Sequence, residues 1–210
     1  MVTSLTVNYN TPELLEVLLC SFRQFYDIPY FVVDGSDEAN FDRIKDFPDK
    51  FKIELHHFNY NIHHGPGLAY GFKMIKTKQI LTLDSDIIIL KGGFIEDLQG
   101  KLRKDSYGIG ATGIVNRDGI NSLTGTKYLH PSCALINREI ALKFALPVKH
   151  GAPMINAMQD IASKDLDILQ HEQWVQSDIL HGYQKIDIKD RFYIDHQWCG
   201  TVNKTGGIHL

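Results

Sequence analysis

The 210-residue chain carries 22 Lys and Arg against 25 Asp and Glu, a net charge of −3, with 43% hydrophobic and 22% charged residues. Those are ordinary values for a folded chain with one substantial core, and without a basic block they exclude a nucleic-acid footprint. Cys20, Cys133 and Cys199 are scattered and form no C-x-x-C pair, which argues against a disulfide framework or a zinc knuckle and fits a reducing compartment.

The first alternation, Ser4-Leu5-Thr6-Val7-Asn8-Tyr9, predicts a strand almost at the initiator. Thr11 follows as an N-cap with Pro12 at the first helical position, and Leu14, Leu15, Leu18, Leu19 and Phe22 then recur at helical spacing. Tyr30-Phe31-Val32-Val33 predicts a second strand, ending at Asp34-Gly35-Ser36-Asp37, and a short helix is expected from Phe41 to Phe47. The run from Lys52 to His56 alternates as a third strand, and Gly65-Pro66-Gly67 opens a helix through Leu68, Tyr70, Met74 and Ile75. Ile80-Leu81-Thr82-Leu83 reads as a buried strand that ends at Asp84-Ser85-Asp86, before a second apolar run from Ile87 to Leu90. This order calls for an α/β fold: a Rossmann-like, mostly parallel sheet flanked by helices in a single domain.

Beyond Leu90 the rhythm changes. Helices are expected from Phe94 to Leu102, Arg138 to Phe144, Met154 to Ser163 and Glu172 to Leu180. Strands are expected from Tyr107 to Val115, Tyr128 to Asn137, Gln184 to Ile188 and Phe192 to Ile194. The apolar runs are strand-length, short of the roughly 20 residues that span a bilayer, and no secretion signal opens the chain. The sequence therefore reads as soluble and intracellular.

Three strand ends carry polar residues: Asn8-Tyr9-Asn10, Asp34-Gly35-Ser36 and Asp84-Ser85-Asp86. In a parallel sheet they line one edge, where ligands of open α/β sheets bind. Side chains at i and i+2 of an extended segment point the same way, so Asp84 and Asp86 can face one cleft. Carboxylates placed there need a cation or a donor, and a divalent metal with its phosphates supplies the cation. A lone D-x-D is more often an acidic turn; the neighbouring polar ends reverse that judgement. Asp34 can accept from a base N–H, Tyr9 can stack on the base, Asp84 can hold a ribose hydroxyl and Asp86 a metal.

These residues resemble a family. The segment from Ser4 to Arg23 is similar to the opening of GT-A glycosyltransferases of the large inverting family 2. Val32-Val33-Asp34-Gly35-Ser36 is similar to their Val-Asp-Asn-Gly-Ser element with one residue missing, and Leu83-Asp84-Ser85-Asp86 to their D-x-D motif. The stretch from Asn61 to Gly71 departs from theirs, with His63-His64 intruding and Tyr70 in place of Asn. The match is strong over about the first 95 residues and loose beyond. Short length and an immediate start also resemble the amino-terminal glycosyltransferase domain of a large chlorella-virus protein that decorates capsid glycans, which would place the chain in a host cytoplasm as one domain of a longer polypeptide.

The resemblance implies a GT-A fold, with residues 1–95 as the nucleotide-binding half and 96–210 as the half for donor sugar and acceptor. It implies a UDP-sugar donor, Mn²⁺ or Mg²⁺, and a glycan or glycoprotein acceptor. Val7, Tyr9, Asn10, Asp34, Ser36, Gly65, Asp84 and Ser85 would line the nucleotide pocket. Asp84 and Asp86 would bind ribose and metal, with His196 completing the metal shell as neutral imidazole. In the family a basic carboxylate sits near the start of a helix that ends at a Gly-aromatic pair. Here that pair is Gly182-Tyr183, and counting back gives Glu172, with Asp167 one loop earlier and Asp178 too deep in the helix. The usual Glu-Asp doublet is replaced by His171-Glu172, and Glu172 reads equally as a helix cap. Trp174 and Trp198 are candidates for a sugar platform, and His130 to Ala134 would lie near the donor sugar. Cys133 has no base nearby and reads as a buried thiol rather than a nucleophile. His56-His57 and His63-His64 lack the acid or thiolate partners of a zinc site.

Two other functions compete. A sugar-nucleotide pyrophosphorylase would want a basic Gly-rich signature after the first strand, where Asn10-Thr11-Pro12-Glu13 has no base. A nucleotide-sugar-binding module without turnover would bind the donor and release nothing.

Overall fold

Alternating β-branched and apolar residues build β1 (Val2–Asn8), β2 (Tyr30–Asp34), β3 (Glu54–His57) and β4 (Gln79–Leu83), with α1 (Pro12–Arg23), α2 (Glu38–Phe41), α3 (Phe47–Phe51) and α4 (His64–Met74) between them. The chain continues through β5 (Ile87–Ile89), α5 (Phe94–Lys101), β6 (Gly108–Val115), β7 (Thr126–Asn137), α6 (Arg138–Ala141) and α7 (Ile155–Ser163). It closes with β8 (Leu169–His171), β9 (Trp174–Gln176), β10 (Tyr183–Asp187) and β11 (Phe192–Gln197). The computed structural model describes residues 1–149, 151–176, 183–187 and 192–197.

The expected α/β sheet is present. Seven strands lie in the order β3-β2-β1-β4-β7-β6-β8. β3, β2, β1 and β4 are mutually parallel, β7 runs antiparallel to β4 and β6, and β8 is parallel to β6. The carboxyl ends of β1 to β4, β6 and β8 therefore share one edge. A second, antiparallel sheet has the order β5-β11-β10-β9.

The strand period of two sorts the interior into two layers. Tyr30, Val32, Leu81, Leu83 and Cys133 join α1 and α5 on one face of the large sheet, while Leu5, Phe31, Val33, Ile80 and Ala134 join α4 and α7 on the other. α5 has an uncommon start. The Tyr26 phenolic oxygen accepts the amide hydrogens of Gly93 at 2.7 Å and Phe94 at 3.0 Å, so a side chain from α1's far end caps the helix that follows β5.

Three local expectations are corrected. The helix over Phe41 to Phe47 resolves into α2 and α3. Asp37 caps α2 by accepting from Asn40 N–H at 2.9 Å, and Pro48 sits at the start of α3. The helix from Glu172 to Leu180 is not formed at its start, where β9 pairs Val175 with Lys185 and Trp174 with Ile186; strand pairing overrides a weak helical pattern. Thr11 does not cap α1, because its hydroxyl donates instead to Asn8 Oδ1 at 2.8 Å. No helix among the described residues is long and apolar enough to cross a membrane.

Candidate active site

Parallel register sets a polar row along the carboxyl edge. Asn8 lies opposite Asp34, and Asp34 opposite His57. Asp34 is fully buried, which demands donors. Asn8 Nδ2 and Ser36 Oγ each donate to Oδ1 at 2.7 Å. Ser36 N–H donates to Oδ2 at 3.2 Å, and His57 Nδ1 lies 2.7 Å from the same oxygen. Ser36 Oγ also accepts the Asn10 amide at 2.9 Å, and Asn10 Oδ1 accepts the Asp37 amide at 2.9 Å. Asp34, Ser36 and Asn10 thus tie β1, β2 and β3 together. Both oxygens of Asp34, the residue expected to meet a base N–H, are engaged by protein donors in this structure.

β4 ends differently. Asp84 N–H donates to Ser132 O at 2.9 Å, which anchors the end of β4 to β7, and Asp84-Ser85-Asp86 then carries the chain into the second sheet. There β11 pairs with β5 and sets His196 opposite Ile87. Asp84, Asp86 and His196 each offer a ligand atom, all within 4.8 Å of one another. His196 Nε2 lies 3.1 Å from Asp86 Oδ1 and 3.7 Å from Asp84 Oδ2. His196 is buried; burial lowers its pKa, but the hydrogen bond to Asp86 and the charges of Asp84 and Asp86 outweigh it and hold the pKa above the ordinary value. His64, at the first position of α4, brings Nε2 to 3.5 Å from Asp84 Oδ1. Two carboxylates beside imidazoles in a half-buried cleft leave negative charge that a first-row divalent ion balances, and oxygen with nitrogen donors suits one.

The remaining sequence-derived residues divide. Tyr9 is 37% exposed just past β1, open to a ligand. Ser85 is buried, 3.4 Å from Thr11 Oγ1. Val7 faces α4, where a Cβ on Gly67 would come within 2.7 Å of Val7 Cγ1. Gly65 is a packing position, because a Cβ there would stand 2.4 Å from the Lys149 carbonyl oxygen. Cys133 is buried opposite Leu83, and burial, then the charges of Asp84 and Glu172, push its thiol pKa far up, which fits an inert thiol. His130 has its pKa lowered by burial, with Asp84 pulling it up and His196 down.

The two base candidates part company. Glu172 directly follows β8, at the same sheet edge as Asp84, and is buried against Lys101 Nζ at 2.8 and 3.1 Å. Asp167 precedes β8, at the opposite edge, with its side chain 84% exposed and 3.6 Å from Arg103. The structure therefore does not bring Asp167 to the cleft, since the length of β8 separates the two acids. Asp178, Gly182 and Trp198 lie outside the described residues.

Sequence reasoning weighed His57 and His64 only as zinc ligands and set them aside for want of acid partners; the structure corrects this by placing them beside Asp34 and Asp84. The signal for His57 was available, because the register that puts Asp34 on the edge puts the end of β3 there too.

The profile of Glycosyl transferase family 2 matches residues 5–159. The chain belongs to this family. Solved structures agree on the fold. The mannosyltransferase PcManGT from Pyrobaculum calidifontis, in complex with GDP-Man and Mn²⁺, superposes with a TM-score of 0.62 at 14% identity, covering 81% of this chain and 56% of that one. S. aureus TarS 1-349 in complex with UDP-GlcNAc gives 0.59 at 14% identity over 92% and 57%. The galactosyltransferase LgtC with donor and acceptor sugar analogues gives 0.52 at 13% identity over 81% and 73%. A search of the curated proteins finds no match. The family 2 chain spans little more than half the length of the mannosyltransferase and of TarS 1-349.

Proposed function

We propose that this chain transfers a sugar from a UDP-sugar to a hydroxyl of a growing glycan, with Mn²⁺ or Mg²⁺ held by Asp84, Asp86 and His196. The observation that carries the reading is the convergence of those three side chains within 4.8 Å at the carboxyl edge of the parallel strands. Family membership and the nucleotide-sugar complexes among the structural neighbours support it. A divalent ion bound there supplies positive charge to the departing diphosphate.

The chain's own residues do the rest. Asp34, Asn8 and Ser36 form a rigid floor, and Tyr9 offers a ring to the base. Glu172 takes the proton of the acceptor hydroxyl, held in position by Lys101, which gives an inverting displacement at the anomeric carbon. Residues 1–95 hold the nucleotide, and 96–210 the sugar and acceptor.

The test is a panel of UDP- and GDP-sugars incubated with the protein and Mn²⁺, reading nucleotide release and thermal stabilisation. Release from one UDP-sugar, abolished by EDTA, is expected. Stabilisation without release would favour a binding module instead. No response from any nucleotide sugar would overturn the reading.

A further inference from the structure

We propose that His64 positions a metal-binding carboxylate: its Nε2–H donates to Oδ1 of Asp84 and leaves Oδ2 as the one oxygen that Asp84 gives the ion. The consequence is a choice of ion. A carboxylate held to one oxygen suits the compact octahedral shell of Mg²⁺ or Mn²⁺, and it disfavours Ca²⁺, whose larger shell takes both oxygens of a carboxylate. This rests on the reading of Asp84, Asp86 and His196 as a divalent-ion site.

The argument starts from which oxygen meets which ring. His64 Nε2 lies 3.5 Å from Asp84 Oδ1. His196 Nε2 lies 3.7 Å from Asp84 Oδ2 and 3.1 Å from Asp86 Oδ1. The two imidazoles thus stand at different oxygens of one carboxylate, and the His196 side is the one that Asp86 shares. An ion seated between Asp86 and His196 is met by Oδ2, and Oδ1 is left over. An ionised carboxylate only accepts, so a partner for the spare oxygen has to carry hydrogen, as the Nε2–H tautomer of histidine does. The present separation is longer than the usual N–H···O range of about 2.7–3.2 Å, and a closure of about half an ångström makes it a hydrogen bond. Contacts of this kind tighten once a site is filled. Partners that hold a ligating carboxylate in place tune the affinity of the metal it binds.

The backbone sets this ring in place at a cost. His63, the N-cap of α4, has φ 59° and ψ 159°, a combination that residues with a side chain rarely adopt. The turn is held on both sides: His63 N–H donates to Asn61 Oδ1 at 2.9 Å, and its carbonyl accepts Gly67 N–H at 3.0 Å. The turn that follows is packed without slack. A Cβ on Gly65 would stand 2.4 Å from the Lys149 carbonyl oxygen, and one on Gly67 would stand 2.7 Å from Val7 Cγ1. The start of α4 is therefore pressed between β1 and the backbone at Lys149, with little room to slide or roll, and His64 is its first residue. Strain of this kind persists only where the surroundings over-determine it, and such places cluster at working sites.

Titration calorimetry of the whole chain with Mn²⁺ or Ca²⁺, at fixed UDP, tests this. His64→Leu keeps bulk and loses the donor, and His64→Gln keeps an N–H that can reach Oδ1. Wild type should bind Mn²⁺ at least about tenfold more tightly than Ca²⁺. In His64→Leu the Mn²⁺ affinity should fall by about 10–100-fold and the preference to within about threefold, and His64→Gln should bring both back to within about threefold of wild type. If the variants do not fold, wild type decides. With Mg²⁺ bound, ¹⁵N-histidine NMR should find the His64 hydrogen on Nε2, and the electron spin echo of bound Mn²⁺ should show one coordinated imidazole, that of His196. Two coordinated imidazoles, a His64 hydrogen on Nδ1 alone, unchanged Mn²⁺ affinity and preference in His64→Leu, or no recovery in His64→Gln overturns the positioning role alone. If wild type binds neither ion, the divalent-ion reading falls with it.

Discussion

Asp34 and Asp84 end strands two places apart in one sheet, and their surroundings are opposite. Asp34 is sealed, with its oxygens surrounded by an amide, a hydroxyl, a backbone N–H and an imidazole. Asp84 and Asp86 crowd each other, and among the described residues their ion pairs are with His64 and His196. A carboxylate satisfied by its own protein is architecture; one crowded by another acid is poised for a cation from outside. The same residue type at the same edge therefore does different work, and the difference lies in which donors the neighbouring strands deliver.

Glu172 is the case most able to break that rule. It is sealed by Lys101 yet proposed as the base. Glu172→Gln should lower transfer by about 10²–10⁴-fold, the usual range for a lost general base, while UDP affinity with Mn²⁺ stays within about threefold. Steady-state rates beside calorimetry check this. A fall in melting temperature with transfer intact would return Glu172 to the architectural class. Asp167→Asn, at the far edge, should leave the rate alone.

The next two variants should cross. Asp34→Ala strands four donor groups at a buried position and should cost about 3–5 kcal/mol of stability in urea titrations. Asp86→Ala relieves the repulsion on Asp84 but takes the hydrogen bond from buried His196, so it should cost less stability than Asp34→Ala, while Mn²⁺-dependent UDP binding should weaken by about 100-fold, or about 2.7 kcal/mol. Parallel losses in both variants, of stability and of binding alike, would erase the distinction between sealed and open acids.

The sequence made the edge legible because strand ends are local signals. A four-residue apolar run followed by Asp-Ser-Asp marks β4, and period-two alternation marks β1 and β2. Helix α4 was legible for the same reason. Partners were not: Asn8 reaches Asp34 across 26 residues and His57 across 23, so the sealing of Asp34 depends on strand order and register. The second sheet was missed as a unit because β5 and β9 are three residues each, too short to show a period. The segment after Glu172 went wrong for a related reason, since Trp174 to Gln176 is a strand only by virtue of pairing with β10. His196 came from resemblance; its contact with Asp86 follows from the pairing of β11 with β5.

Tyr26 sharpens the comparison at its small end. Its oxygen is sealed by backbone donors as Asp34 is, but the group is neutral and remote from the edge row. Tyr26→Phe should strand the Gly93 and Phe94 amides and cost about 1–2 kcal/mol at pH 8, with UDP affinity unchanged. Burial raises the phenol, partly offset by the amides of Ile95, Gly93 and Phe94, to a pKa of about 12. The unfolded chain ionises near pH 10, so from about pH 10 to about 12 the unfolded state binds fewer protons than the folded one, and stability drains as pH rises. Tyr30, Tyr107 and Tyr128 are pushed up by burial as well, so the wild-type slope has several sources. Removing one of them makes the variant less pH-sensitive, and the gap between the two urea midpoints should narrow steadily from pH 9 to pH 11. A constant gap would mean that the Tyr26 phenol titrates alike in the folded and unfolded chain, and no gap at all would mean that Tyr26 contributes through packing of its ring against Phe22 and Phe94 rather than through the cap.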